Sequence, residues 1–214
     1  LEITCNPQNS KCVQGKRMIP VELIDVAGLV PGAHEGRGLG NKFLDELRQA
    51  NAFIHVVDAA GSTDEDGRPC KPSTRNPVDD IRFLEVELTM WMHSILRKDW
   101  DKLARRIEGE KLNIYHAIAE RLSGIGVNEL DIKKAIEKAE LDIVYPTRWS
   151  EEDLKRLASE LRKINKPMII AANKADVPVA EENIKRLKEE CKDYIVVPTS
   201  SEAELLLRRA NEKG

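Results

Sequence analysis

The chain has 214 residues, of which 41% are apolar and 33% charged, and its 34 Lys and Arg stand against 37 Asp and Glu for a net charge of −3. A packed core beneath a solvated surface follows, wholesale disorder is excluded, and the charge balance argues against the broad basic footprint that DNA binding needs. The longest apolar runs, such as Phe53 to Val57 and Met168 to Ala172, are strand-sized and far short of the ~20 residues that cross a bilayer, so no membrane partner is expected.

Cys5, Cys12, Cys70 and Cys191 form no Cys-x-x-Cys pair. They read as reduced thiols of a cytoplasmic protein rather than as a disulfide framework or a zinc site. The chain opens at Leu1 without a basic and then apolar leader. No signal peptide is expected, and further chain is expected before Leu1.

Val21 to Asp25 is the first predicted strand, Ala52 to Asp58 the second, Lys166 to Ala172 the third and Tyr194 to Val197 the fourth. Each is short, rich in Val and Ile and nearly continuous rather than alternating, which suits parallel strands buried on both faces. Helical patterns at Gly40 to Gln49 and Glu181 to Cys191 separate them. The alternation predicts an α/β fold with a doubly wound, mostly parallel sheet.

Residues 77–164 break that rhythm. Ile81, Leu84, Leu88, Trp91, Met92 and Ile95 recur at spacings of three and four, the stripe of one long amphipathic helix. Asn76-Pro77 with Asp79 and Asp80 supplies its start. Further helices are predicted at Asn113 to Leu122, Leu130 to Ala139 and Ser150 to Ile164, the last opened by the capping box Ser150-Glu-Glu-Asp153. An all-helical insertion over 77–164 is therefore expected, with 1–76 and 165–214 forming the α/β part. Two loops, Gly28 to Gly40 and Gly61 to Asn76, are dense in Gly or Pro and are expected to move unless a ligand or partner orders them.

Three strand exits carry the candidate chemistry. Asn173-Lys174-Ala175-Asp176 follows the third strand. An Asp there can accept from the N1–H and 2-amino group of guanine together, a donor pair that adenine lacks. The Asn can bond the ring N7 or brace the next loop, and the Lys stem can pack over the base. Asp25-Val-Ala-Gly28 ends the first strand. Its Asp can hold a Mg²⁺-bound water, and its Gly lets a backbone N–H approach a terminal phosphate, although a simple Asx turn would use the same residues. Pro198-Thr-Ser-Ser201 follows the last strand. Ser200 and Ser201 there could face the guanine O6 or cap a helix.

In combination these strings resemble the G3, G4 and G5 motifs of a GTP-binding domain. The stretch Gly28 to Leu44, followed by His55-Val-Val-Asp-Ala59, resembles the switch II signature of the Obg-like GTPases, above all their archaeal and eukaryotic branch related to YchF. The resemblance runs from about Pro20 to the C-terminus. It implies a P-loop NTPase-like G domain that binds GTP and GDP and hydrolyses GTP as a switch linked to the ribosome or its RNA. It assigns Asp25 to Mg²⁺ through water, Gly28 to the γ-phosphate, and Asn173, Lys174 and Asp176 to the base, with Ser200 and Ser201 on the O6 side. Leu29 stands where Ras-like GTPases carry a water-orienting Gln. Slow hydrolysis aided by a partner, a monovalent cation or a rearranged switch is implied, and no catalytic group is assigned. His34 and Glu35, in the loop expected to move, could orient water, but read more simply as solvated loop residues.

YchF proteins usually carry Glu where Asp176 stands, so an ATPase like YchF is the lesser alternative. A ribosome- or protein-binding module that ignores nucleotide is the other. Only 24 residues precede Asp25 and none forms Gly-x-x-x-x-Gly-Lys-[Ser/Thr]; Gly15-Lys16 comes nearest. The sequence as it stands is expected to be the middle of a larger GTPase, also without the family's C-terminal TGS domain, and to bind GTP weakly on its own.

Overall fold

The structure, a computed structural model, describes residues 12–13, 16–26, 46–64 and 67–213. A two-residue hairpin, β1 (Cys12–Val13) with β2 (Lys16–Arg17), comes first. The main sheet has three parallel strands in the order β3 (Phe53–Asp58), β4 (Met168–Asn173) and β5 (Ile195–Pro198). Phe53 pairs with Met168 and Asp58 with Asn173, while Ala172 pairs with Pro198. All three strands therefore end side by side along one edge. Three of the four predicted strands form within two residues of their expected bounds.

The fourth does not. Val21 to Asp25 runs outside any strand, with Val21 and Leu23 each 77% exposed. A strand is held by ladder bonds to a neighbour, and no described strand pairs with this run. Gly28 to Gly40 and most of the predicted helix at Gly40 to Gln49 lie outside the described residues; 46–49 are helical.

Between β3 and β4 the chain is helical. Helix α1 (Pro77–Arg97) is capped by the Asn76 side chain, which accepts from the Val78 N–H at 3.2 Å. It is followed by α2 (Trp100–Glu110), α3 (Ile114–Leu122), α4 (Glu129–Lys138) and α5 (Glu151–Asn165). The capping box read from Ser150 and Asp153 closes in both directions, with Asp153 N–H donating to Ser150 Oγ at 3.2 Å and Ser150 N–H to Asp153 Oδ2 at 2.8 Å. Helix α2 was not predicted. Its apolar stripe, Trp100, Leu103, Ala104 and Ile107, does have helical spacing, but it spans only two turns and is set among charges.

The helices enclose one hydrophobic cluster, which includes Trp91, Leu96, Trp100, Ile118, Leu122, Ile132, Leu157 and Leu161. The second cluster sits under the sheet. There Val57, Ile170 and Ala172 meet Val78 and Ile81 of α1 and Ala180, Ile184 and Leu187 of α6 (Ala180–Glu190). Helix α1 thus roots in the sheet by its first turns and in the helical cluster by the rest. Lys166, 4% exposed, donates from Nζ to the carbonyls of Arg48 at 3.2 Å and Ala50 at 2.7 Å, tying residues 48–50 to the start of β4.

Among the described residues helices cover one face of the sheet. The other carries the rows Ile54–Ile169–Ile195 and Val56–Ala171–Val197, with Ile54 56%, Val56 60% and Ile195 68% exposed. This is why the strands read as continuous apolar runs although one face is open here. Helix α7 (Ser201–Lys213) follows β5 and exposes Leu205, Leu206 and Leu207.

His55 lies on the covered face, its Nδ1 buried without a hydrogen-bond partner among the described residues. Burial lowers its pKa to about 4, so the folded chain resists a proton that the unfolded chain accepts near ~6.5. The unfolded state then binds more protons, and stability falls as pH drops through that window. We expect the wild-type stability curve from chemical denaturation to decline between about pH 6.5 and 4 and a His55→Leu variant to decline less. Equal slopes would place the ring in a solvated site.

Candidate functional site

The parallel register gathers the exits of β3, β4 and β5 at one edge, and the polar side chains there are bonded to one another. Asn173 ends β4, and its Oδ1 accepts from Ser201 N–H at 3.0 Å and Ser201 Oγ at 3.1 Å. The backbone repeats the link, with Ala175 N–H donating to Thr199 O at 3.0 Å and Thr199 N–H to Ala172 O at 2.9 Å. Asp176 is exposed. The Ser200 hydroxyl and then its own backbone N–H hold its carboxyl below the usual range, so it is ionised at neutral pH. Ser200 Oγ also accepts from Ala203 N–H at 3.3 Å, starting α7. Four sequence-predicted residues (Asn173, Asp176, Ser200 and Ser201) thus form one constellation, with an exposed carboxylate beside the Ser200 hydroxyl.

Lys174 is turned the other way. Its φ of 64° lies in the left-handed region, uncommon for a residue with a Cβ. Its Nζ donates to Asp58 Oδ2 and Ser62 Oγ, both at 2.8 Å. Asp58 is the hub of the β3 exit. Its Oδ1 accepts from Ala60 N–H at 2.9 Å, and its Oδ2 also accepts from Ser62 N–H at 3.0 Å, Ser62 Oγ at 2.8 Å and Thr63 Oγ1 at 2.9 Å. Sequence reading did not single out Asp58 as a site residue. The available signal was a carboxylate ending an apolar run before Ala-Ala-Gly-Ser-Thr, the pattern of a side chain closing its own turn.

Hydrogen bonds next to the same hub tie part of the 61–76 loop to the β3 exit. Ser73 N–H donates to Ala60 O at 2.9 Å and Cys70 N–H to Ser62 O at 2.8 Å, and Thr74 and Arg75 N–H both reach Gly61 O. Gly61 holds φ at 57°, and a Cβ there would stand 2.2 Å from Arg75 O, so the turn requires glycine. These backbone bonds join described residues 70–75 to residues 60–62.

Asp25 is exposed and makes no described contact with this constellation, and Gly28 lies outside the described residues. Asp25 is the one carboxylate assigned to Mg²⁺. Among the described residues no group of three or more His, Cys, Asp or Glu could hold a metal ion. A divalent cation needs several oxygen ligands, so the described residues do not by themselves fit Mg²⁺.

An α/β sheet whose strand exits carry a bonded Asn-Lys-x-Asp loop and a Ser-rich loop defines a nucleotide-binding architecture of the P-loop GTPase kind. The family described as "50S ribosome-binding GTPase" matches residues 2–85, and "Obg-like GTPase YGR210-like, G4 motif-containing domain" matches 171–214. An uncharacterized GTP-binding protein of Methanocaldococcus jannaschii is 61% identical over the whole chain, which covers 53% of that protein. Another from Schizosaccharomyces pombe is 37% identical over the whole chain and 52% of its own length. A crystal structure of a GTP binding protein from Pyrococcus horikoshii OT3 superposes with a TM-score of 0.83 at 49% identity, covering all of this chain and 57% of that one. The chain is similar to the Obg-like GTP-binding proteins, and it spans about half the length of the relatives it matches.

Proposed function

We propose that the protein containing this chain binds GTP and GDP at the edge formed by β3, β4 and β5, and hydrolyses GTP as a switch that acts on the ribosome. The observation that carries the guanine reading is the Asp176 carboxylate, ionised, exposed and flanked by Ser200 and the Asn173–Ser201 pair. Only an acceptor can receive the N1–H and 2-amino donors of guanine, and an ionised carboxylate offers two oxygens for them. Asn173 takes the bracing role, since its Oδ1 is already committed to Ser201. The ribosome enters through the description of a matching family, and hydrolysis through kinship with GTPases. Mg²⁺ belongs to the same reading, with Asp25 as its contributor from this chain.

Asp176→Asn in the full-length protein tests the base assignment. The amide presents a donor where guanine has its amino group, so GTP affinity should fall roughly ten- to hundredfold, while xanthosine triphosphate, which carries a carbonyl there, should gain. Titration of fluorescent analogues of both nucleotides reads this directly. Undiminished guanine preference would remove Asp176 from the pocket. Ribosome co-sedimentation that is indifferent to GTP and GDP would favour a nucleotide-independent binding module over the switch.

A further inference from the structure

We propose that Asp58 is the positioning residue of the base-reading loop: its carboxylate anchors Lys174 and so fixes how Asn173 and Asp176 are presented to a nucleotide. The inference rests on the guanine reading above and adds a residue to it.

Asp58 and Asn173 are register partners at the ends of adjacent parallel strands, so their side chains rise from the same row. Lys174 follows in the left-handed region at φ 64°, a backbone setting that needs something to hold it. What holds it is a carboxylate whose side chain is only 11% exposed. Every contact to that carboxylate is a donor: two backbone N–H groups, two hydroxyls and one ammonium, all at 2.8–3.0 Å. An acceptor-only group with about four lone-pair sites is thereby saturated, and it must be ionised to serve them. Burial pushes the carboxyl up, but the bonds from Lys174, Ser62 and Thr63 outweigh it and hold the pKa at about 2.

Two consequences follow for the base site. The Lys174 ammonium is held by Asp58 and Ser62, so the alkyl stem is the part left to line the base side. The 58–63 turn and the 173–176 loop are also joined, through the Lys174 side chain and through the Ala59 N–H that donates to Asn173 O at 2.9 Å, so a change at either one reaches the other. The carboxylate oxygens of Asp58 are taken up by protein donors, so it acts through Lys174.

Asp58→Asn is isosteric but turns an NH₂ donor toward donors. The test uses the full-length protein and measures GDP and XDP affinity for the wild type, Asp58→Asn, Lys174→Met, the double variant, Ser62→Ala and Asp176→Asn. Asp58→Asn should weaken GDP about tenfold, the scale of a charge-assisted hydrogen bond, and the double variant should bind no more weakly than Lys174→Met alone. Base preference should be unchanged by Asp58→Asn and reversed by Asp176→Asn. Ser62→Ala, which removes the hydroxyl shared by Asp58 and Lys174, should weaken GDP about twofold to threefold in the wild type and have no effect in Lys174→Met; this pair carries the test if Asp58→Asn does not fold. Additive losses in either pair, or GDP affinity within about twofold of wild type for Asp58→Asn, would overturn the role assigned to Asp58. Preserved coupling without a base switch in Asp176→Asn would instead defeat the guanine reading and leave the anchor standing.

Discussion

Trp100→Ala should cost the fold about 3–5 kcal/mol, the range for truncating a buried large aromatic. Trp100 opens α2, is 2% exposed, and stacks on Trp149 with ring centroids 5.2 Å apart and planes 15° from parallel. Trp149 is fixed in turn by its Nε1–H, which donates to Asp142 O at 2.8 Å. The pair therefore pins α2 to the segment between α4 and α5. Removing one ring leaves a cavity beside a partner that cannot collapse into it, and it also forfeits the stacking geometry itself. Chemical denaturation of the full-length protein should show the midpoint moving at unchanged slope, and Trp100→Phe should recover much of the loss. Because the pair stands among the helices, guanine nucleotide affinity of the folded fraction should be unaltered. A loss below about 1 kcal/mol would mean that the stacked rings sit outside the cooperative core.

The contrast between α1 and α2 shows what made this fold legible. Helix α1 advertises itself twice, by apolar residues at helical spacing and by Asn76-Pro77 before two acidic residues, and the observed helix starts at Pro77. Helix α2 carries a short stripe at helical spacing but no working cap, since Asp99 before it makes no side-chain cap and takes a left-handed φ of 52°. A stripe of two turns is marginal by itself, and tertiary packing of Trp100 completes it. The strands divide in the same way. Phe53–Asp58, Met168–Asn173 and Ile195–Pro198 find one another because parallel neighbours satisfy their backbones. Val21 to Asp25 has equal β propensity and no such neighbour among the described residues, so propensity alone misplaces it.

The candidate site was legible for a different reason. Asn173, Lys174, Asp176, Ser200 and Ser201 stand on strand exits, and once the strands are placed in parallel their convergence is forced by topology. Chain order alone gave no hint that Lys174 would reach back 116 positions to Asp58. That contact depends on register, which fixes Asp58 opposite Asn173, and register is what a single sequence specifies least.

The second large effect is expected where the helical cluster meets the sheet. Arg162 of α5 is 2% exposed; its guanidinium donates to Glu85 Oε1 of α1 at 3.0 Å and to the Tyr194 hydroxyl at 2.9 Å, just before β5. The Tyr194 hydroxyl donates in turn to Glu85. Burial first, and then that bond to Glu85, push the Tyr194 pKa up to about 12, so the phenol stays neutral and keeps its proton for the carboxylate. Three elements are thereby joined through one buried cation. Truncating Arg162 leaves a gap at a fully buried position and takes from Glu85, 31% exposed and still bonded to the Tyr194 hydroxyl, one of its two donors. Arg162→Ala should accordingly lose about 2–3 kcal/mol in denaturant titration, while the double variant Arg162→Met with Glu85→Leu should regain part of it. The position of Tyr194 gives this a functional side. Strand β5 runs from Ile195 to Pro198, immediately before Ser200 and Ser201, so loosening its start should also slacken the loop that carries the Ser200 contact to Asp176. Guanine nucleotide affinity should therefore fall severalfold in Arg162→Ala even where the protein remains folded, and recover in the apolar double variant. Intact affinity in Arg162→Ala would show that the helical cluster and the base loop are energetically independent.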